Sequence, residues 1–133
     1  MYSLSKEKVI FSVDGCHDVA DTYRFTKYIA GVRALGDLKG NVRQCIGQWD
    51  GKLELSWIMD RDDFDKHVRN THFVEDQEFF LHVPGNPADN CWLSDKQGGV
   101  TELGVLEEVS TDYLDNYAGW TYMMDTNKYY TCD

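Results

Sequence analysis

Apolar and polar positions alternate most cleanly between Lys52 and Met59. Leu53, Leu55, Trp57 and Met59 fall on one side of an extended chain, and Glu54, Ser56 and Ile58 on the other, the period-two signature of a strand. Val42–Trp49 reads as its partner, because Asp50-Gly51 between them suits the two positive φ angles of a tight hairpin turn. Upstream, Lys8–Val13 is short, apolar and β-branched, and predicts a strand that Asp14-Gly15 ends. Asp18 is the expected N-cap of a helix whose spacing runs from Val19 to Leu35. Phe25, Ile29 and Val32 form its predicted buried stripe, with Gly36 as its stop and Lys39-Gly40-Asn41 as a turn. Downstream, Asp60 is expected to cap a short helix, Arg61–Arg69, with Phe64 and Val68 turned inward. Glu78–Val83 alternates again, with Phe79, Leu81 and Val83 on one face and Glu78, Phe80 and His82 on the other, until Pro84-Gly85-Asn86-Pro87 breaks it. Cys91–Ser94, Leu103–Val109, Trp120–Met124 and Lys128–Cys132 read as shorter strands, the last two joined across Asp125-Thr126-Asn127.

The order through Val83 is β-α-β-β-α-β. It predicts an α+β, ferredoxin-like fold: an antiparallel sheet with both helices on one face, followed by C-terminal β hairpins. Residues 1–133 read as a single domain, since the stretch after Pro84–Asn90 is too short to fold alone. The core face is expected to hold the Leu53–Met59 set together with Phe79, Leu81 and Val83. The other face, with Glu54, Ser56, Glu78, Phe80 and His82, must be solvated, covered by the tail or buried against another subunit.

Charge narrows the partners. Twenty-three Asp and Glu stand against 13 Lys and Arg, a net charge of −10. Such a surface disfavours nucleic acid, phosphate-rich ligands and anionic membrane, and it permits a cationic ligand or mimicry of nucleic acid. No apolar run approaches a membrane span, and Met1-Tyr2-Ser3-Leu4-Ser5-Lys6 does not read as a signal peptide. Cys16, Cys45, Cys91 and Cys132 form no CxxC pair and are expected as reduced cytoplasmic thiols. His17, His67, His72 and His82 share no spacing suited to a metal, so no metal site is expected.

Glu54 is the principal candidate for chemistry. It sits mid-strand beside a hairpin, near Trp49 and Ile58, and reads either as a partly buried carboxylate or as a solvated sheet-face residue. In Gly47-Gln48-Trp49-Asp50-Gly51, the glycine within a strand points to a bulge or a close backbone approach. Trp49 suits stacking or cation contact, or is simply a packing residue. Gln77 and Glu78 offer an amide and a carboxylate side by side, for a ligand edge or for water. Asp60-Arg61-Asp62-Asp63 and Glu107-Glu108 read as solvated faces, because basic residues are interspersed. No hydrolase triad or phosphate loop can be argued.

Taken in series, several blocks resemble the S-adenosylmethionine (SAM) lyases of tailed bacteriophages, formerly called SAM hydrolases. They are Glu75-Asp76-Gln77-Glu78-Phe79-Phe80-Leu81-His82-Val83, Cys91-Trp92-Leu93-Ser94-Asp95, Thr101–Val109, Trp120-Thr121-Tyr122 and Lys128-Tyr129-Tyr130. In the first half the resemblance rests on Gly47-Gln48-Trp49 ahead of Glu54-Leu55-Ser56, and on the helix from Thr22 to Leu35. It implies cleavage of SAM to methylthioadenosine and homoserine lactone, with SAM as substrate and no cofactor. It also implies a homotrimer with SAM bound between subunits, in the cytoplasm of an infected bacterium, where SAM depletion blunts restriction. Glu54 matches the family's essential carboxylate. Gln48, Trp49, Ser56, Gln77 and Glu78 are the implied substrate contacts, with Trp49 standing where relatives tend to carry Tyr. Two alternatives come from other classes: a non-enzymatic acidic inhibitor of a host nuclease or methyltransferase, and a small-ligand-binding domain.

Overall fold

The computed structural model describes residues 6–16, 20–38 and 42–132. Nine strands form one antiparallel sheet: β1 (Lys8–Ser12), β2 (Val42–Trp49), β3 (Lys52–Asp60), β4 (Phe79–Val83), β5 (Asn90–Asp95), β6 (Val100–Val105), β7 (Glu107–Val109), β8 (Gly119–Met123) and β9 (Lys128–Thr131). Their order across the sheet is β6-β5-β4-β1-β3-β2-β8-β9-β7. Helix α1 (Thr22–Gly36) follows β1, and the seven-residue α2 (Arg61–His67) follows β3.

The sheet nearly closes on itself. β6 and β7 lie at its opposite edges, yet only Leu106 separates them in the chain. At the same seam the Gly104 N–H donates to the Cys132 carbonyl at 2.6 Å. A curled sheet hides most of its edge hydrogen-bonding groups.

This overturns the expected ferredoxin-like sandwich with helices on one face. The strands through Val83 would leave β4 and β2 as open edges. The expected C-terminal hairpins form, as β5–β6 and β8–β9, and continue the sheet past those edges, β5 on β4 and β8 on β2. The stretch read as one strand, Leu103–Val109, is split at Leu106 into strands on opposite edges.

Local chemistry explains the elements. Asp50 and Gly51 have φ of 51° and 81°, so the β2–β3 hairpin turns through two left-handed residues as its sequence demands. Asn127, at φ 56°, turns the β8–β9 hairpin. Helix α1 is capped by Asp21, whose carboxylate accepts the Arg24 N–H at 3.2 Å. The expected cap Asp18 and turn Lys39-Gly40-Asn41 lie outside the described residues, as do Met1–Ser5, His17 and Val19. Asp60 does not cap α2 with its side chain; it pairs with Lys8. Phe64 and Val68 are buried as expected.

Two apolar cores lie on the two sides of the sheet. The outer one, under the helices, joins Val9, Phe11, Trp57, Met59, Phe64 and Phe80 to Tyr28 and Leu35 of α1. The inner one joins Ile10, Cys45, Ile58, Val83, Cys91, Met123, Tyr130 and Cys132. β1 is therefore buried on both faces, which is why it reads as an unbroken apolar run.

Two expectations need correction here. In β4 the assigned face is out of phase: Ile10 pairs with Leu81 and Val9 with His82. Leu81 and Val83 thus share the inner face with Glu54 and Ser56, whereas Phe80 and His82 share the outer face with Trp57 and Met59. A one-residue change of phase moves every side chain across a strand, and both faces here are apolar enough to mask it. On α1 the predicted stripe holds in part: Phe25 and Val32 pack partly buried against the outer core, Ile29 is 47% exposed, and the buried positions are Tyr28, Gly31 and Leu35.

Candidate functional site

The inner face of the curled sheet holds a cavity of about 370 Å³, within the range of small-molecule sites. Leu81, Leu93 and Leu103 supply apolar wall. Trp49 (55% exposed) and Phe79 (43% exposed) stand at its rim. Ser12 and Ser56, both buried, face each other across the β1–β3 pairing.

Glu54 is half-buried in this cavity. The alternation of β3 places it on the inner face with Lys52 and Ser56, directly opposite Gly47 of β2. The β2–β3 register runs unbroken from Val42↔Met59 to Trp49↔Lys52, so Gly47 marks no bulge. A Cβ at Gly47 would lie 3.2 Å from Ser56 Oγ and 3.7 Å from Glu54 Cγ. The missing side chain leaves open space beside Ser56 Oγ and the Glu54 stem. Next along the pairing, Cys45 lies opposite Ser56. Burial pushes its thiol up to about 12, with the charges of Asp125 and Glu54 adding to the rise, so it stays protonated.

Trp49 pairs with Gly119 of β8. A Cβ at Gly119 would come within 2.5 Å of Trp49 Cε3, so the indole lies across the glycine at the cavity mouth. Gln48 is also among the residues lining the cavity, although its pairing with Leu53 turns its side chain to the face opposite Glu54; its Oε1 is buried with no hydrogen-bond partner among the described residues. Such an orphaned acceptor is costly unless something donates to it.

Gln77 and Glu78 reach the cavity through a buried anchor. The Asp14 carboxylate, at the end of β1, accepts the Gln77 amide Nε2 at 2.8 Å, the Asp76 N–H at 2.9 Å and Lys27 Nζ at 3.3 Å. Burial works against the Lys27 charge, but hydrogen bonds to Glu75 and Asp14 outweigh it and raise its pKa.

All six residues singled out from the sequence, Gln48, Trp49, Glu54, Ser56, Gln77 and Glu78, line this one cavity. The sequence reading missed Lys52, Ser12, Phe79, Trp120 and Thr121, which also line it, and Asp14 behind it. Lys52 was legible, since period two puts it on the face of Glu54. Trp120 was not, because only the β2–β8 pairing brings it there.

Away from the cavity, a polar and aromatic cluster centres on His82. His82 Nε2 lies 2.8 Å from Ser94 Oγ, and its ring stacks on Trp92 at 3.7 Å, with Arg61 over the same indole at 5.4 Å. Burial, then the Arg61 charge, pushes the His82 pKa down to about 4. The acidic runs are partly paired, Arg61 with Glu7 and Asp65, and Glu108 with Lys128. A second, apolar groove between α1 and the β2–β3 hairpin contains no charged side chain. Among the described residues no group of three or more His, Cys, Asp or Glu is placed to hold a metal, no disulfide links the cysteines, and no helix is long and apolar enough to cross a membrane. No protein-family model matches the chain, and no curated protein matches it.

Proposed function

We propose that this protein cleaves SAM by intramolecular attack of the substrate's own carboxylate. The observation that carries the reading is the setting of Glu54: a half-buried carboxylate beside Ser56, in a cavity rimmed by Trp49 and Phe79. SAM presents a sulfonium, an ammonium and an adenine to such a site. Aromatic faces attract cations and stack on flat rings, and a carboxylate binds an ammonium through charge-assisted hydrogen bonds.

The reaction needs no acid, base or metal. A carboxylate oxygen forms a bond to Cγ, the Cγ–sulfur bond breaks, and its electron pair goes to sulfur. The sulfonium leaves as neutral methylthioadenosine, keeping its methyl group, and the four-carbon amino-acid chain leaves as homoserine lactone with the ammonium intact. The protein's task is to fold the tail so that oxygen and Cγ meet, which is proximity catalysis, and to keep water away. Glu54 holds the ammonium and so orients the tail. The aromatic rim holds the sulfonium loosely, since tight stabilisation of that charge would oppose its loss. Gln77 and Glu78 contact adenosine or a neighbouring subunit.

The resemblance to the phage enzymes supports a homotrimer as the working assembly, with the exposed rings of Trp49 and Phe79 covered by a neighbour. It likewise supports action in the cytoplasm of an infected bacterium, where loss of SAM blunts methylation and restriction. Incubation with SAM, followed by chromatography of the products, tests the reading. Methylthioadenosine is expected from the wild type, and a rate reduced by about a hundredfold or more from Glu54→Gln. Intact SAM after incubation with the wild type would overturn it.

A further inference from the structure

We propose that Lys52 receives the α-carboxylate of the ligand, so that the cavity selects an amino-acid end and not adenosine alone. The inference rests on the SAM reading above and assigns that site a positioning residue. Lys52 and Glu54 are successive inner-face residues of β3, about 7 Å apart along the strand, and both line the cavity. Lys52 is the sole cation among the described residues lining it, against the two carboxylates of Glu54 and Glu78. In a chain of net charge −10, one exposed lysine at the mouth of a cavity whose other charged lining residues are carboxylates marks a place for an anion.

The charges of SAM mirror that set. It has two cationic centres, the sulfonium and the ammonium, and one anionic centre, the carboxylate. Ammonium and carboxylate sit on the same carbon, so two long side chains converging from one strand face can hold both. Lys52 pairs across the hairpin with Trp49, so it is anchored at the mouth beside the aromatic rim. An ammonium is a point charge and not a planar fork. It can hold one carboxylate oxygen and leave the other to attack Cγ.

The attack drains negative charge from the carboxylate, so the Lys52 contact is stronger in the bound substrate than in the transition state. Lys52 therefore contributes to KM and little to kcat. Lys52→Met is expected to raise KM for SAM about tenfold, with kcat unchanged or higher. Binding by calorimetry separates the two layers of the argument. S-adenosylhomocysteine keeps the amino-acid end, and methylthioadenosine lacks it. Lys52→Met is expected to weaken the first about tenfold and leave the second within about twofold, a difference of the size of one charged hydrogen bond, and Lys52→Arg is expected to restore most of the loss. Equal weakening of both ligands, or of neither, would overturn the assignment while leaving the SAM reading standing. A wild type that bound neither ligand would overturn both.

Discussion

Gly47 lies directly across the β2–β3 pairing from Glu54, and a Cβ there would press within 3.2 Å of Ser56 Oγ and touch the Glu54 side chain at 3.7 Å. The strand is bulge-free there, so the glycine serves the cavity and not the backbone. Gly47→Val is expected to leave the hairpin formed, because valine suits a strand, while lowering kcat/KM for SAM at least tenfold. Steady-state kinetics alongside a thermal melt check this. Undiminished turnover in a folded Gly47→Val protein would show that the space opposite Glu54 is not needed.

Asp14 fastens the 76–78 segment to the end of β1. Its carboxylate is buried and accepts from Gln77, Asp76 and Lys27. Asp14→Ala leaves those donors without their acceptor. Breaking a buried, hydrogen-bonded charge costs about 3 kcal/mol, which for a chain of this size lowers Tm by roughly 10 °C. A melt shifted by less than about 2 °C would mean that water or another group takes the carboxylate's place.

His82 sets an acid limit on stability. Burial and the neighbouring Arg61 hold its pKa near 4, against about 6.5 in an unfolded chain. The unfolded state therefore binds the extra proton over that interval. The His82 contribution is fully present above about pH 6.5 and is lost as pH falls through about 4, a total of about 2–3 kcal/mol. Urea titrations at pH 7 and pH 4.5 should show a larger loss in the wild type than in His82→Gln. Parallel losses would place the acid sensitivity in other groups.

Much of the chain's local structure was legible in its residues, and the closure of the sheet was not. Asp50-Gly51 and the alternation of Lys52–Met59 placed the hairpin and put Glu54 on the correct side, because turn chemistry and period two are local. The phase of β4 escaped, since Phe79, Phe80, Leu81 and Val83 give apolar residues to both faces. Leu106 carried no sign that the chain passes there from one edge of the sheet to the other. Nor did Trp120 show that it would reach the cavity, a placement made by pairing with a strand over 70 positions earlier. Asp14 read as a strand end, and its role depends on Gln77, brought near only in the folded chain.

The central claim is that the substrate's carboxylate, and not water, displaces the thioether. The most direct measurement is single-turnover cleavage of SAM in water enriched in heavy oxygen, with the first-formed homoserine products followed by mass spectrometry. Early homoserine lactone free of the label, beside methylthioadenosine, is the predicted result. Label at the γ-hydroxyl of homoserine formed before any lactone would contradict it.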